Sequence, residues 1–348
     1  MKMGTKTKYA IVCGTRPEIL KLAPIISELK KKHIDYKVYF TSQHFSYEMG
    51  KGFFDELDIN PIKTYKNPFD TGNVIKWIKT NLKKDKINCV IVHGDTLSTL
   101  TGALAAVSEK IPIAHIEAGL RSFDYNEPFP EEYIRTMVDS VSTYLFCPTK
   151  DNAKNLHPKN KKIYITGNTI IDLIKSKKIK THTAKQILVT SHRRENWNRI
   201  QDICSGIKTL SEKMSDYNFV FVRHANMKLG KKITKCFKDT DITIIPPLPY
   251  DKFIKLVAKS SFIVTDSGGM IEEASYFDIP LAIIREKTER MEAIQSGHAI
   301  LVGTKKDIWK PILKFFNKKK TQNLVCPFGN GNSAKKIVRI LENENFNV

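Results

Sequence analysis

The sequence predicts an α/β protein of two domains, each a parallel β-sheet covered by helices on both faces. Three observations predict it. At 348 residues the chain is long for one ordinary domain. Short apolar runs alternate with amphipathic stretches from one end to the other, the pattern of strand–helix–strand units with right-handed crossovers. Most of those runs are four to six residues, β-branched and apolar on both faces, as fully covered parallel strands should be.

In order, the strand-like runs are 9–13, 36–41, 89–93, 113–117, 143–147 and 162–166. After a break come 186–191, 218–223, 242–245, 261–265 and 281–284. Helical patterns lie between many of them, including 17–32, 97–108, 131–141, 200–213 and 251–259. The break follows Gly167, where residues 170–183 are polar, Lys-rich and helical in pattern before the alternation restarts at Gln186. This places an N-terminal domain at 1–168 and a C-terminal domain at 169–332. A last helix, about 333–343, follows a Gly-Asn-Gly-Asn loop at 329–332, so the segment 333–348 can cross back onto the first domain.

Composition narrows the class. A 41% hydrophobic, 27% charged chain is that of a globular enzyme with a core in each half. No apolar run approaches the ~18 residues of a membrane span. The first residues lack the apolar stretch and cleavage site of a signal peptide, so the expectation is the cytoplasm, with no membrane partner. The six cysteines are far apart and form no CxxC pair, which indicates neither a disulfide framework nor a metal site. Cys13, Cys89 and Cys147 fall inside strand-like runs, where a thiol behaves as a small hydrophobe. A formal net charge of +21 raises the question of nucleic acid. The Lys-rich runs at 30–32, 83–84, 175–180 and 318–320 carry no interleaved aromatics and no nucleic-acid motif. They read as a solvated basic surface, compatible with an anionic substrate.

In open α/β sheets, ligands bind beyond the carboxyl ends of the strands, and the chemically loaded residues fall there. The first strand run leads into Gly14-Thr15-Arg16-Pro17-Glu18, then a helix carrying Lys21. A glycine turn, a proline in the first helical turn and two cations favour an anion at the helix start. Neither GxGxxG nor GxxxxGK[ST] occurs. Asp95 follows the 89–93 run, Glu117 ends the 113–117 run, and Glu131 and Glu132 open a helix after Pro130. Acids converging from three loops look like acid/base equipment. The plain alternatives are dipole complementation for Glu131 and Glu132, and a cap or buried ion pair for Asp95 and Glu117. In the second half, His192 and Arg193 stand at a strand tip. Ser267, Gly268 and Gly269 form a turn into a helix of the kind that holds a diphosphate on free N–H groups. Glu273 lies one turn in, and Arg290 follows the 281–284 run.

Eight of these motifs occur in the order and spacing of a known family, from about residue 10 to 303. They are Gly14-Thr15-Arg16-Pro17-Glu18, His93-Gly94-Asp95-Thr96, His115-Ile116-Glu117-Ala118-Gly119-Leu120-Arg121, Pro130-Glu131-Glu132, Thr166-Gly167-Asn168, His192-Arg193-Arg194-Glu195, Thr265-Asp266-Ser267-Gly268-Gly269 and Thr288-Glu289-Arg290. The chain resembles the non-hydrolysing UDP-N-acetylglucosamine 2-epimerases. The resemblance implies two Rossmann-like domains of glycosyltransferase-B-type architecture, an active site in the interdomain cleft, and a homodimer. It implies interconversion of UDP-GlcNAc with UDP-ManNAc and no cofactor. By resemblance, Asp95, Glu117 and Glu131 flank the hexose. Arg16 and Lys21 lie near the diphosphate, and His192 with Ser267, Gly268 and Gly269 completes the clamp. Leu248 (through its backbone) and Phe253 hold the uracil, Glu273 the ribose, and Arg290 the phosphate or sugar side.

The chemistry fits those residue types. C2 of the sugar is not next to a carbonyl carbon, so its proton cannot be removed directly. Departure of UDP from C1 makes the C2 proton removable and leaves 2-acetamidoglucal; re-addition with a proton on the other face gives the epimer. The route needs a base, an acid and a cationic clamp for the leaving diphosphate. Alternative activities of similar sequence or architecture are a hydrolysing epimerase releasing ManNAc and UDP, and a glycosyltransferase. The resemblance also implies a second UDP-GlcNAc site beside the first, using Gln43, His44, Arg193 and His224. Ser46 stands where that pattern has a second Gln, which predicts weaker or altered binding of the activator.

Overall fold

The computed structural model describes residues 7–43, 47–60, 62–157, 161–181, 184–191, 193–223, 226–318, 323–344 and 346. The chain divides into two compact units, one of 1–173 with 329–348 and one of 174–328.

Unit 1 alternates β1 (Lys8–Cys13), α1 (Arg16–Lys31), β2 (Asp35–Phe40), α2 (Tyr47–Glu56), β3 (Ile62–Thr64), α3 (Thr71–Asp85), β4 (Cys89–His93) and α4 (Leu97–Ser108). It continues through β5 (Ile113–Ile116), α5 (Glu131–Val141), β6 (Tyr144–Cys147), α6 (Lys150–Lys154), β7 (Lys162–Ile165) and the start of α7 (Thr169–Ser176). The seven strands are parallel in the order β3-β2-β1-β4-β5-β6-β7. Alternation along β1 feeds two cores at once. Tyr9, Ile11 and Cys13 join the cluster under α1, while Ala10 and Val12 join the cluster under α3 and α4.

Unit 2 repeats the scheme with β8 (Gln186–Thr190), α8 (Ile200–Lys213), β9 (Asn218–Val222), α9 (Met227–Cys236), β10 (Thr243–Ile245) and α10 (Tyr250–Lys259). Then come β11 (Phe262–Thr265), α11 (Gly268–Tyr276), β12 (Leu281–Ile283), α12 (Met291–Gln295), β13 (Ala299–Leu301) and α13 (Trp309–Lys318). Its parallel order is β10-β9-β8-β11-β12-β13. Ile200, Ile203, Ile207 and Leu210, one stripe of α8, are buried with Ile187, Val189, Phe219 and Phe221 of the sheet. The last helix, α14 (Ser333–Glu342), belongs to unit 1: Ile337, Val338 and Leu341 are buried with Tyr9 and Ile11. The Asp172 carboxylate accepts from Ser333 N at 3.1 Å and Ala334 N at 2.9 Å, capping its start.

Two strands were absent from the sequence reading, β3 and β13. Each has three residues at a sheet edge and is partly exposed, with Lys63 in the middle of β3. The 170–183 helix is also shorter than expected, since α7 stops at Ser176.

Both sheets are doubly wound, and both reverse strand order once. The reversal lies between β1 and β4 in unit 1, and between β8 and β11 in unit 2. The loops leaving those four strands begin at Gly14, Gly94, Ser191 and Asp266, among the residues the motifs mark.

Candidate active site

In unit 1 the two loops at the reversal are tied together by Glu18, which is 1% exposed. Its Oε2 accepts from Gly14 N (3.0 Å) and Thr15 N (2.7 Å), and its Oε1 accepts from Thr96 Oγ1 (2.7 Å) and Thr99 Oγ1 (3.1 Å). One carboxylate thus caps α1 and fixes the start of α4. Gly14 is needed for the close approach, because a Cβ there would stand 2.1 Å from both Ser98 Oγ and Thr41 Oγ1. Gln43 reaches the same place, its Oε1 accepting from Ser98 N at 2.9 Å and Ser98 Oγ at 2.6 Å. Arg16 is exposed at the start of α1 with its guanidinium 5.1 Å from the Phe53 ring centroid. Lys21 is 5% exposed and ion-paired with Glu117.

The acids gather at the ends of β4 and β5. Glu117 has a left-handed backbone, φ 67°, an unusual conformation for a residue with a long side chain and one that clusters at functional sites. Its Oε2 accepts from Lys21 Nζ and from Asn168 Nδ2, and lies 3.6 Å from His93 Nε2. Asp95 is ion-paired with Arg135 Nη2 at 2.5 Å, and Arg135 Nη1 meets Glu132 Oε2 at 3.1 Å. Glu131 is the first residue of α5 and half-buried. Arg135 lies four residues on, so the two share a helix face. Glu132 anchors the preceding loop by accepting from Ser122 N (3.0 Å) and Phe123 N (3.2 Å).

Behind the acids is a buried triad. His115 Nε2 donates to Gly94 O at 2.8 Å, and His115 Nδ1 meets Asp139 Oδ1 at 2.7 Å. Asp139 Oδ2 pairs with Arg121 Nη2 at 2.7 Å and accepts from Gly119 N at 3.2 Å. Burial pushes the Asp139 carboxyl up, but His115 and Arg121 outweigh it and hold it below its ordinary value. The triad fastens the Gly94 turn before Asp95 to the Gly119 turn after Glu117, so two acids are held by one charged cluster.

In unit 2, Asp266 is fully buried and its Oδ2 accepts from Ser191 Oγ (2.9 Å), Arg193 N (3.1 Å) and Asn196 Nδ2 (2.9 Å). It therefore anchors both chain neighbours of His192. Ser267 caps α11, accepting from Met270 N, and α11 begins at Gly268, two residues earlier than the sequence suggested. Arg290 is 6% exposed and packs on Gly268. Arg290 Nε meets Glu272 Oε1 at 2.8 Å and its Nη1 meets Glu289 Oε1 at 2.5 Å. Arg193 Nη2 approaches the same Glu289 oxygen at 3.4 Å, and Arg285 Nη1 meets Glu289 Oε2 at 2.8 Å. Glu289 thus brings Arg193, Arg285 and Arg290 together. Glu273 Oε1 accepts from Tyr250 OH at 3.0 Å, and burial followed by Glu273 pushes the Tyr250 hydroxyl far up, so it stays a donor. Leu248 and Phe253 are half-buried in the loop before α10 and in α10.

His44, His192 and His224 lie outside the described residues. Among the described residues, no group of three or more His, Cys, Asp or Glu side chains is arranged to hold a metal ion. Nor is any described helix long and apolar enough to cross a membrane. Sequence reasoning missed Arg135 and Asp139 as site residues. Their signal was helical spacing, since 131, 135 and 139 recur every fourth residue along α5.

Comparison with known proteins covers nearly the whole chain. The family model described as UDP-N-acetylglucosamine 2-epimerase matches residues 27–342. A curated UDP-N-acetylglucosamine 2-epimerase of Methanocaldococcus jannaschii is 39% identical, over 96% of this chain and 98% of its own. The crystal structure of a UDP-N-acetylglucosamine 2-epimerase, described as putative, from Listeria monocytogenes superposes with a TM-score of 0.90. It is 30% identical and covers 97% of this chain and 96% of its own. The structure of Methanocaldococcus jannaschii UDP-GlcNAc 2-epimerase in complex with UDP-GlcNAc and UDP has a TM-score of 0.85. It is 38% identical and covers 96% of this chain and 99% of its own. These matches run through both units and agree with the expected α/β, glycosyltransferase-B-type fold class. The chain belongs to the UDP-N-acetylglucosamine 2-epimerase family.

Proposed function

We propose that this chain interconverts UDP-GlcNAc and UDP-ManNAc without hydrolysis, by elimination of UDP, passage through 2-acetamidoglucal and re-addition. The observation that carries the reading is the Glu117 site, a carboxylate on a left-handed backbone at the edge where ligands bind, supported by Lys21 and Asn168. Asp95 and Glu131, joined through the α5 face that holds Arg135, supply further proton-transfer groups. Which carboxylate serves as base and which as acid follows from the faces of the hexose they reach.

The leaving diphosphate needs cations and N–H groups. Unit 2 offers the start of α11 at Gly268 and Gly269, with Arg290 packed on it, and His192 is assigned to the same clamp. Arg16 and Lys21 are the unit 1 cations assigned to the same group, Leu248 and Phe253 are assigned to the uracil, and Glu273 to the ribose. The ligands named for the Methanocaldococcus structure, UDP-GlcNAc and UDP, support this substrate class. Gln43, His44, Arg193 and His224 are the residues assigned to a second, activating nucleotide-sugar.

The enzyme acts in the cytoplasm as a homodimer in this reading. The surface that supports a dimer is apolar and on two adjacent helices. Leu104 and Val107 of α4 and Tyr133, Met137 and Val141 of α5 are 37–46% exposed, and Phe123 and Phe129 beside them are 78% and 70% exposed. Monomers seldom leave so many large apolar groups together in water.

Incubation with UDP-GlcNAc and NMR of the products tests the function. Intact UDP-ManNAc at equilibrium with UDP-GlcNAc is expected. Free ManNAc with UDP identifies a hydrolase instead, and no change in the sugar sinks the epimerase reading.

A further inference from the structure

The proposed reaction changes the protonation of its carboxylates in every turnover, and one side chain beside Glu117 is placed to take part. His93, the last residue of β4, is buried, with its side chain 5% exposed. Among the described residues neither of its ring nitrogens makes a hydrogen bond. Burying an imidazole in this way is destabilising, because its N–H and lone pair leave water and gain no partner. Native structures satisfy the great majority of such groups, and the exceptions call for a chemical reason.

The geometry narrows that reason. Nε2 stands 3.6 Å from Glu117 Oε2, too far for a formed hydrogen bond. The gap cannot admit a water, which needs about 2.8 Å on each side. A shift of roughly half an ångström closes it. The strand holds the ring in place: His93 O accepts from Thr99 Oγ1 at 2.5 Å, and His93 is paired across the sheet with Ile116, the residue before Glu117. Among the described residues, the charged groups at this point include Glu117, after β5, and Lys21, from α1, with the neutral Asn168 beside them.

We propose that His93 is a positioning residue that relays the proton of Glu117, accepting it from the carboxyl group within the catalytic cycle and returning it. The inference rests on the epimerase reading for its place in turnover. In the relay the Oε2–H bond breaks and an Nε2–H bond forms, leaving carboxylate and imidazolium, with no electron transferred. Lys21 and Asn168, which donate to that same oxygen, stabilise the carboxylate the relay restores.

Two measurements test it. In the first, the ring of His93 is observed by NMR of histidine-labelled protein, its signal identified by loss in His93→Gln. Glu117→Gln should displace the His93 ring nitrogen signals while leaving those of distant histidines in place. If the single variant is unstable, Glu117→Gln with Lys21→Met serves in its place, read against Lys21→Met alone. Unmoved His93 signals overturn the pairing, and this readout needs no turnover.

In the second, kcat and KM for UDP-GlcNAc are measured with melting temperature for His93→Phe, which fills the space, and for His93→Gln. Both should lose ~10²–10⁴-fold in kcat, with KM within a few-fold and melting temperature kept or raised. If the Phe variant does not fold, the Gln variant decides. A kcat within threefold of wild type overturns the relay, as does a loss confined to KM, which would make His93 a ligand contact. A wild-type enzyme inert towards UDP-GlcNAc defeats the epimerase reading instead, and the NMR comparison then decides on His93.

Discussion

Gly268 and Gly269 are adjacent at the start of α11 but differ sharply in surroundings, which makes them a paired test of the diphosphate site. A Cβ on Gly268 would stand 2.6 Å from Arg290 Nη1 and 2.9 Å from its Cζ, where ordinary contact begins near 3.4 Å. Arg290 cannot swing away freely, since Glu272 and Glu289 hold its Nε and Nη1 at 2.8 and 2.5 Å. Overpacking of this kind costs ~1–3 kcal/mol, and each weakened charge-assisted bond adds to it. Taking about 2 kcal/mol, a unit of this size melts ~4–8 °C lower. Displacing Arg290 should also weaken UDP about tenfold, the equivalent of ~1.4 kcal/mol. Around Gly269 a Cβ meets nothing within 4 Å. Gly269→Ala should therefore leave stability unchanged or raise it by ~0.4–1 kcal/mol. Its methyl group would still stand where diphosphate oxygens approach the helix start, so UDP affinity should fall. Calorimetry with UDP, alongside thermal melts, reads both effects. A Gly268→Ala protein with wild-type stability refutes the packing argument. A Gly269→Ala protein with wild-type UDP affinity refutes the placement of the diphosphate.

Three other outcomes follow from the unit 1 geometry. Asp95→Asn, Glu117→Gln and Glu131→Gln should each lower kcat by ~10²–10⁴-fold with UDP binding kept; near-normal turnover in all three would make the carboxylates structural. Glu117→Gln also strips the counter-ion from buried Lys21, typically ~3–5 kcal/mol, so adding Lys21→Met should recover stability but not activity. Asp139 has a depressed carboxyl pKa in the folded state. Its contribution to stability is therefore present above the unfolded value of about 3.9 and lost as pH falls below it. Asp139→Asn should melt below wild type at neutral pH, and the gap should narrow only under about pH 4; an equal melting temperature at pH 7 contradicts the triad.

Much of the fold was legible because its strands are covered on both faces. Runs such as 9–13 are apolar at every position, and Gly14 at once marks where that one ends. What could not be read were two short edge strands, β3 and β13, and contacts set by chain-distant partners. Glu117 can be recognised as an acid at a strand end. That its backbone is left-handed, and that Lys21 reaches it from 96 residues away, depends on packing of α1 over β4 and β5. Lys21 by itself reads as a cation for an anion at the helix start, whereas its folded partner is a carboxylate. Likewise Arg290 reads as a phosphate cation, and only the fold reveals that Glu272 and Glu289 grip it. Glu18 and Asp266 carry no chemical signal of their own, yet they fasten the loops on which the chemistry depends.

The central claim is that the C2 hydrogen leaves as a proton and is replaced from solvent. Turnover of UDP-GlcNAc in deuterated water, followed by NMR of the separated sugars, tests it directly. Deuterium is expected at C2 of both UDP-ManNAc and recovered UDP-GlcNAc, rising together towards equilibrium. UDP-ManNAc that keeps its original C2 hydrogen would contradict elimination and require the hydrogen to travel within the enzyme.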